Sequence, residues 1–180
     1  MESELSVENV VATVFLGQPI DLYLLVSRNP YIRYEPERFP AAQLKFVKPR
    51  VTILVFSSGK AIIVGAKSED DVKISSKNLA SFLRKNGVGL KRDPRVLIKN
   101  IVATFSLDGP VDLEKLVILL KGAVYEPEEF PGLIYRNYGV VFIIFSSGKV
   151  ICTGSKSQAQ AVRAMREVIS ELARFKSSKL

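Results

Sequence analysis

The chain repeats its own sequence once. Residues 34–40 read Tyr-Glu-Pro-Glu-Arg-Phe-Pro, and Tyr34 recurs as Tyr125 at an offset of 91 in the stretch Tyr-Glu-Pro-Glu-Glu-Phe-Pro. Phe56 opens the stretch Phe-Ser-Ser-Gly-Lys, which recurs at Phe145 at an offset of 89, so the second copy is two residues shorter between the motifs. This period is too long for a solenoid unit and predicts a duplicated half with an approximate two-fold axis. Functional residues are therefore expected in pairs.

Composition narrows the class of partner and the kinds of chemistry. The 180 residues include 26 Lys and Arg against 18 Asp and Glu, a net charge of +8. This excess favours a polyanionic partner such as a nucleic acid, although a solvated basic surface would give the same count. The single cysteine, Cys152, and the lack of histidine exclude disulfide frameworks, Cys/His zinc sites and histidine-dependent triads. Cys152 lies in an apolar run and is expected in the core.

The apolar runs are short. Residues 140–145 form one of the longest, and they are too few to cross a bilayer. No signal-peptide pattern precedes the first predicted strand, so we expect a soluble intracellular protein.

Each half predicts the order strand, helix, hairpin strands, helix. In the first half a strand over residues 10–16 is followed by a helix opening at Pro19, by strands over 41–47, 51–56 and 60–64, and by a helix capped by the Ser68-x-x-Asp71 box. The second half predicts a strand over 101–105 and a helix over 110–121. This order indicates an α+β fold, an antiparallel sheet with helices on one face. We expect two repeats, 1–91 and 92–180, that share one sheet.

The predicted strands are apolar on both faces, although helices on one side can cover only one of them. The other face should then be an exposed apolar patch, which in a soluble protein marks a binding surface. A second layer or a dimer partner would also account for the pattern. Alternate residues of each strand are expected on that exposed face. They are Val11, Thr13, Leu54, Phe56, Ile62 and Val64 in the first half, and Val102, Thr104, Ile143, Phe145, Ile151 and Thr153 in the second.

Catalysis is not expected from these residues. The repeated acids Glu35, Glu37, Glu126 and Glu128 flank a proline in a turn, where carboxylates are usually solvated. Ser-Ser-Gly-Lys is an ordinary hairpin turn outside any phosphate-loop pattern. A flat apolar face with Asn9 and Asn100 at its start instead suits the DNA minor groove, which offers base acceptors between hydrophobic sugar walls.

The doubled motifs, together with Asn-x-Val-Ala-Thr at Asn9 and Asn100, resemble the TATA-binding protein family, the general transcription factors of archaea and eukaryotes. The resemblance runs from Glu8 to Phe175. It implies a pseudo-two-fold saddle: a curved antiparallel sheet of about ten strands with four main helices on the convex face. The absence of a long leading extension is similar to archaeal members. An archaeal member would lie in the cytoplasm with the nucleoid, and a eukaryotic one in the nucleus.

The resemblance also implies the function and the site. A member of this family binds and bends AT-rich TATA-element DNA in the minor groove, recruits transcription factor B and RNA polymerase, and needs no cofactor, metal or membrane. The residues matching intercalating wedges are Phe39 with Phe56, and Phe130 with Phe145. Those matching base and groove contacts are Asn9, Asn100, Val11, Val102, Leu54, Ile143, Ile62, Ile151, Val64 and Thr153. Those matching phosphate contacts are Lys45, Arg136, Lys60, Lys149, Lys67 and Lys156. Glu126 and Glu128 match the contact with transcription factor B.

Three departures from the two-fold pattern stand out. Val64 carries no hydroxyl where its counterpart Thr153 does, Glu129 replaces Arg38 before the wedge, and the second hairpin is shorter. The alternative to the DNA-binding function is an RNA-binding or protein-interaction module that uses the same apolar face, with a homodimer left open as the state without DNA.

Overall fold

The computed structural model describes residues 4–177, and side chains up to residue 173. The elements of the first half are β1 (Ser6–Phe15), α1 (Leu22–Ser27), β2 (Ala41–Phe46), β3 (Val51–Phe56), β4 (Lys60–Ala66) and α2 (Glu69–Lys85). Those of the second half are β5 (Arg95–Ser106), α3 (Leu113–Leu119), β6 (Gly132–Asn137), β7 (Val140–Phe145), β8 (Lys149–Ser155) and α4 (Gln158–Ser177).

The predicted α+β class is confirmed, with fewer strands than expected. Residues 4–177 contain eight strands and four helices, where about ten strands were expected. The segments before β2 and β6 make only the isolated antiparallel bridges Arg33 with Gln43 and Val124 with Ile134. Prolines follow in both segments, and proline cannot donate a ladder hydrogen bond, so these segments turn instead of extending the sheet.

The strands fall into two compact units. One unit comprises residues 9–99, and within it the strand order is β2-β3-β4-β1. The other comprises residues 4–8 and 100–177, with the order β6-β7-β8-β5. Each unit therefore includes the opening residues of the other repeat's first strand. The division of the repeats at residues 91 and 92 stays a prediction.

The two short helices begin later than predicted. Helix α1 begins at Leu22 and not at Pro19, because Asp21 is its N-cap and accepts a hydrogen bond from Leu24 N at 2.9 Å. Ile20 N instead donates to Ser57 O, which holds residues 19–20 in a loop against the hairpin turn. In α3, Asp112 likewise caps the helix through Lys115 N at 3.1 Å.

The core of each unit lies between its sheet and its helices. Ser68 caps α2 through Asp71 N at 3.0 Å, as predicted, and α2 buries Leu79 and Leu83 completely. Cys152 is a core residue, as expected, and burial raises the pKa of its thiol to about 11. Within residues 4–177, every helix is too short or too polar to cross a bilayer.

Glycine is required in both Phe-Ser-Ser-Gly-Lys turns. Gly59 has φ +82°, and a Cβ there would lie 1.9 Å from Gln18 O in the loop before α1. Gly148 has φ +86°, and its Cβ would lie 2.2 Å from Gly109 O. The repeated glycine therefore allows the turn to pack against backbone.

Gly59→Ala and Gly148→Ala should each lower the free energy of unfolding by more than about 2 kcal/mol, since a positive φ alone costs roughly 1–2 kcal/mol outside glycine. Denaturant midpoints would measure this. Two control variants separate the effect of the positive φ from that of the close contact. Gly17→Ala tests the φ alone, because Gly17 has φ +76° with nothing near its Cβ, and Gly89→Ala tests neither, because Gly89 has no positive φ and no close neighbour. Gly59→Ala being no more destabilising than Gly17→Ala would refute the close-contact explanation.

Candidate nucleic-acid interface

Each unit has one sheet face packed into the core and one face that is partly exposed. In β3, Val51, Ile53 and Val55 are buried while Thr52, Leu54 and Phe56 are partly exposed, and β7 alternates in the same way. We call the partly exposed faces the first open face, on the sheet of residues 9–99, and the second open face, on the sheet of residues 100–177. All the residues predicted for the base and groove contacts lie on these faces with partial exposure.

Strand register places the aliphatic members side by side. On the first open face, Ile62 pairs with both Leu54 and Thr13. On the second, Ile151 pairs with Ile143 and Thr104. Directly paired residues of antiparallel strands share a face and touch. Each open face therefore carries a continuous strip of methyl groups.

The four predicted wedge residues form two ring pairs of nearly the same geometry. The ring centroids of Phe39 and Phe56 lie 6.0 Å apart at an interplanar angle of 65°, and those of Phe130 and Phe145 lie 6.1 Å apart at 63°. Phe39 is 48% exposed and Phe130 39% exposed. In each pair one ring therefore projects into solvent while the other, on the strand, supports its side.

Tight turns place the projecting rings. Glu35 O accepts hydrogen bonds from Arg38 N and Phe39 N, and Glu126 O accepts from Glu129 N and Phe130 N. In the second unit Gly132 follows this turn, and a Cβ there would lie 2.7 Å from Phe130 Cε1. The missing side chain lets the Phe130 ring lie against the start of β6.

The two asparagines are oriented by glycine amides. Asn9 Oδ1 accepts from Gly65 N at 2.8 Å, and Asn100 Oδ1 accepts from Gly154 N at 2.7 Å. Both contacts lie where the register of the strand pair shifts, between residues 10 and 12 and between residues 101 and 103. A backbone N–H can only donate, so the carboxamide oxygen is committed and the NH₂ group is the part left to donate.

The six predicted phosphate contacts are all exposed. Lys45 and Arg136 lie on the outer strands β2 and β6, where they pair with Thr52 and Val141 on the open faces. Lys60 and Lys149 begin β4 and β8, and Lys67 and Lys156 follow those strands.

The Tyr-Glu-Pro-Glu turns differ in charge. Glu35 is bound by Arg33 at 2.8 Å and by Arg38 at 3.3 Å, and the hydrogen bond from Arg33 lowers the pKa of its carboxyl. In the second turn Val124 and Glu129 replace these arginines. We call Glu126, Glu128 and Glu129 the acidic turn; all three are exposed, and none forms an ion pair within the described part of the chain.

Sequence reasoning missed several residues at these faces. Arg95 lies over the Phe15 ring, with its guanidinium carbon 4.7 Å from the centroid. Gln43 and Ile134 lie beside Leu54 and Ile143 on the open faces. Gln43 and Ile134 lie two residues before Lys45 and Arg136 on the same strands, so the alternation of a strand predicts that they share a face with them. No local sequence signal predicts the contact of Arg95 with Phe15.

Both halves of the chain match the same family of known proteins. The family model described as transcription factor TFIID (or TATA-binding protein, TBP) matches residues 4–86 and 95–175. The chain is 45% identical over 168 residues to a TATA-box-binding protein of Pyrobaculum calidifontis, covering 92% of this chain and 84% of that relative. It is 41% identical over 169 residues to one of Sulfolobus acidocaldarius, covering 93% and 86%. A solved structure described as Methanococcus jannaschii TBP is 36% identical with a TM-score of 0.85, covering 95% of this chain and 99% of that one.

Proposed function

Because the chain belongs to the TATA-binding protein family, we propose that it is a general transcription initiation factor that binds AT-rich TATA-element DNA in the minor groove and bends it. The observation that carries this proposal is the pair of exposed phenylalanine couples, each beside an apolar open face with an oriented asparagine.

The open faces suit the minor groove of A·T pairs. There the bases offer the acceptors adenine N3 and thymine O2, without the amino donor that a G·C pair adds. The NH₂ groups of Asn9 and Asn100 supply donors, and the aliphatic strips provide contact with the sugar walls. Few charged groups lie on these strips; one carboxylate, that of Glu8, accepts from Thr104 Oγ1 at 2.9 Å on the second open face.

The phenylalanine couples suit insertion between base pairs. Apolar wedges inserted from the minor groove unstack a base step and kink the duplex, at a cost of a few kcal/mol per step. Full burial of a phenylalanine contributes about 1.5–3 kcal/mol, and Phe39 and Phe130 have about half of their surface left to bury. The exposed part of each of these two rings therefore contributes about 1 kcal/mol, which is less than the unstacking costs. The rings direct the kink, while most of the affinity must come from other contacts.

Neutralisation of phosphates by basic side chains supplies the rest of the affinity. With six basic residues releasing counterions, log K for a duplex should fall against log salt concentration with a slope of about −5. Lys45→Gln should reduce the magnitude of that slope by about 1 without changing the preference for sequence.

Fluorescence anisotropy across a salt series, with an AT-rich and a G·C-only duplex of equal length, tests the proposed function. We expect the same slope for both duplexes and tighter binding of the AT-rich one at every salt concentration. Equal affinity for the two duplexes would contradict a TATA-element factor.

The acidic turn is the part of the proposal that concerns protein partners. Its three carboxylates, unpaired within the part of the chain that the structure describes, lie outside the open faces and cannot favour contact with phosphates. We assign Glu126 and Glu128 to contact with transcription factor B, through which RNA polymerase joins the promoter complex.

A further inference from the structure

The outer strands of the two open faces differ in one polar side chain. Gln43 lies on β2 where Ile134 lies on β6, at the offset of 91 residues. Gln43 pairs with Leu54 and Ile134 with Ile143, so both side chains belong to the open faces. Gln43 is partly exposed, and its carboxamide makes no hydrogen bond within residues 4–177.

Gln43 lines a hollow beside the projecting ring of the first unit. The hollow has a volume of about 220 Å³, and its other lining residues include Phe39, Leu54, Arg33, Glu35 and Arg38. Phe39 is a predicted wedge, and Leu54 is a predicted groove contact on the next strand, about 4.8 Å away and within reach of a glutamine side chain. A duplex bound to the first open face would therefore cover the Gln43 carboxamide.

The neighbouring charges decide which end of the carboxamide is left for the DNA. Arg33 and Arg38 each use one nitrogen on Glu35, through Nε and Nη1, and a guanidinium has further N–H groups that can only donate. These N–H groups can satisfy the Gln43 oxygen. Both oxygens of Glu35 already accept from the arginines, so the NH₂ group of Gln43 is left without an acceptor of its own. Once covered, it needs one from the DNA, because a buried donor without a partner is costly.

The second unit carries none of these groups at the matching positions. Ile134 replaces Gln43, Val124 replaces Arg33 and Glu129 replaces Arg38. The polar side chain and its two cationic neighbours are therefore changed together, while both phenylalanine couples are kept.

We propose that Gln43 is a specificity-determining residue, which donates a hydrogen bond from its NH₂ group to a base acceptor beside the step that Phe39 opens. The acceptor is adenine N3 or thymine O2, the groups that A·T pairs offer in the minor groove. At the other end of the element Ile134 offers only methyl groups, so this contact is made once per complex. The inference rests on the proposed minor-groove function and adds a base contact to one end of the element.

A self-complementary AT-only duplex tests this without fixing the orientation of the protein. One pair of mirror positions at a time receives 3-deazaadenine, which has a C–H group in place of the N3 acceptor. A second series receives difluorotoluene in place of thymine, which removes the O2 acceptor. Whichever way the chain binds, one of two mirror positions lies under Gln43. In one of the two series we expect affinity to fall about fivefold at the outermost position that responds, the effect of one hydrogen bond.

Substitutions assign this loss to the carboxamide. Gln43→Met removes the donor and keeps the length of the side chain, so this variant should bind the modified and unmodified duplexes equally at that position. Losses at the positions contacted by Asn9 and Asn100 should stay. Ile134→Met is the matched control on the second open face and should keep the native loss. Binding of the unmodified duplex checks that both variants fold.

A scan with no position at which Gln43→Met removes the loss would overturn the inference. Removal of the same loss by Ile134→Met would overturn it as well, since the effect would then not belong to Gln43. In both cases the chain still prefers the AT-only duplex to a G·C-only one, whereas loss of that preference would instead refute the proposed function.

Discussion

The double variant Phe39→Ala, Phe130→Ala should lose most of its ability to bend AT-rich DNA while keeping its fold. Both rings project into solvent, so their removal leaves little cavity in the protein. Phe56 and Phe145 are only partly exposed, so the double variant has much less ring surface with which to separate a base step. Affinity should fall by about 1–2 kcal/mol per ring, because stacking and burial are both lost. Fluorescence energy transfer between the duplex ends would report the bend.

Tyr23→Ala is the matched control for this variant. Tyr23 is 69% exposed and lies on α1, away from the open faces, with its ring 5.4 Å from that of Tyr34. It should bend DNA as the native chain does. Full bending by the double phenylalanine variant would remove the wedge assignment.

The second large effect concerns assembly with transcription factor B. Glu126→Arg, Glu128→Arg should leave binding of the DNA intact and weaken the complex with factor B at least tenfold. The two arginines would repel the basic groups with which we expect these carboxylates to pair. A gel-shift titration of factor B on preformed DNA complexes would measure both steps.

The duplication supplies a control of equal charge. Glu35→Arg, Glu37→Arg makes the same change in the first unit, where Glu35 is already neutralised by Arg33 and Arg38. Assembly with factor B should be retained in this variant. Equal loss in both variants would attribute the effect to net charge and not to the acidic turn.

Much of the fold follows from local sequence patterns. The Ser68 box, the Phe-Ser-Ser-Gly-Lys turns and the short apolar runs of β3 and β7 specify their own structures, because each signal lies within a few residues. The family resemblance drawn from the doubled motifs is confirmed by the matches over both halves. The assigned roles of individual residues stay predictions, including those of the wedges.

The failures have a common cause in contacts between distant residues. Pro19 is a good first-turn residue, yet the hydrogen bond from Ile20 N to Ser57 O holds that segment in a loop. The cation of Arg95 meets Phe15 across 80 positions of the chain.

The alternative function, a protein-interaction or RNA-binding module, is not favoured by the family to which the chain belongs. The two functions differ in whether the bound duplex is bent. An interaction module has no reason to deform a duplex, whereas wedges inserted at two base steps must shorten the distance between its ends.

The most direct measurement is therefore energy transfer between dyes at the two ends of a short AT-rich duplex, titrated with the native chain. We predict that the transfer efficiency rises to saturation as the protein binds, and that a G·C-only duplex of equal length shows no rise at the same concentrations. A duplex that stays straight while anisotropy shows the protein bound to it would contradict the account.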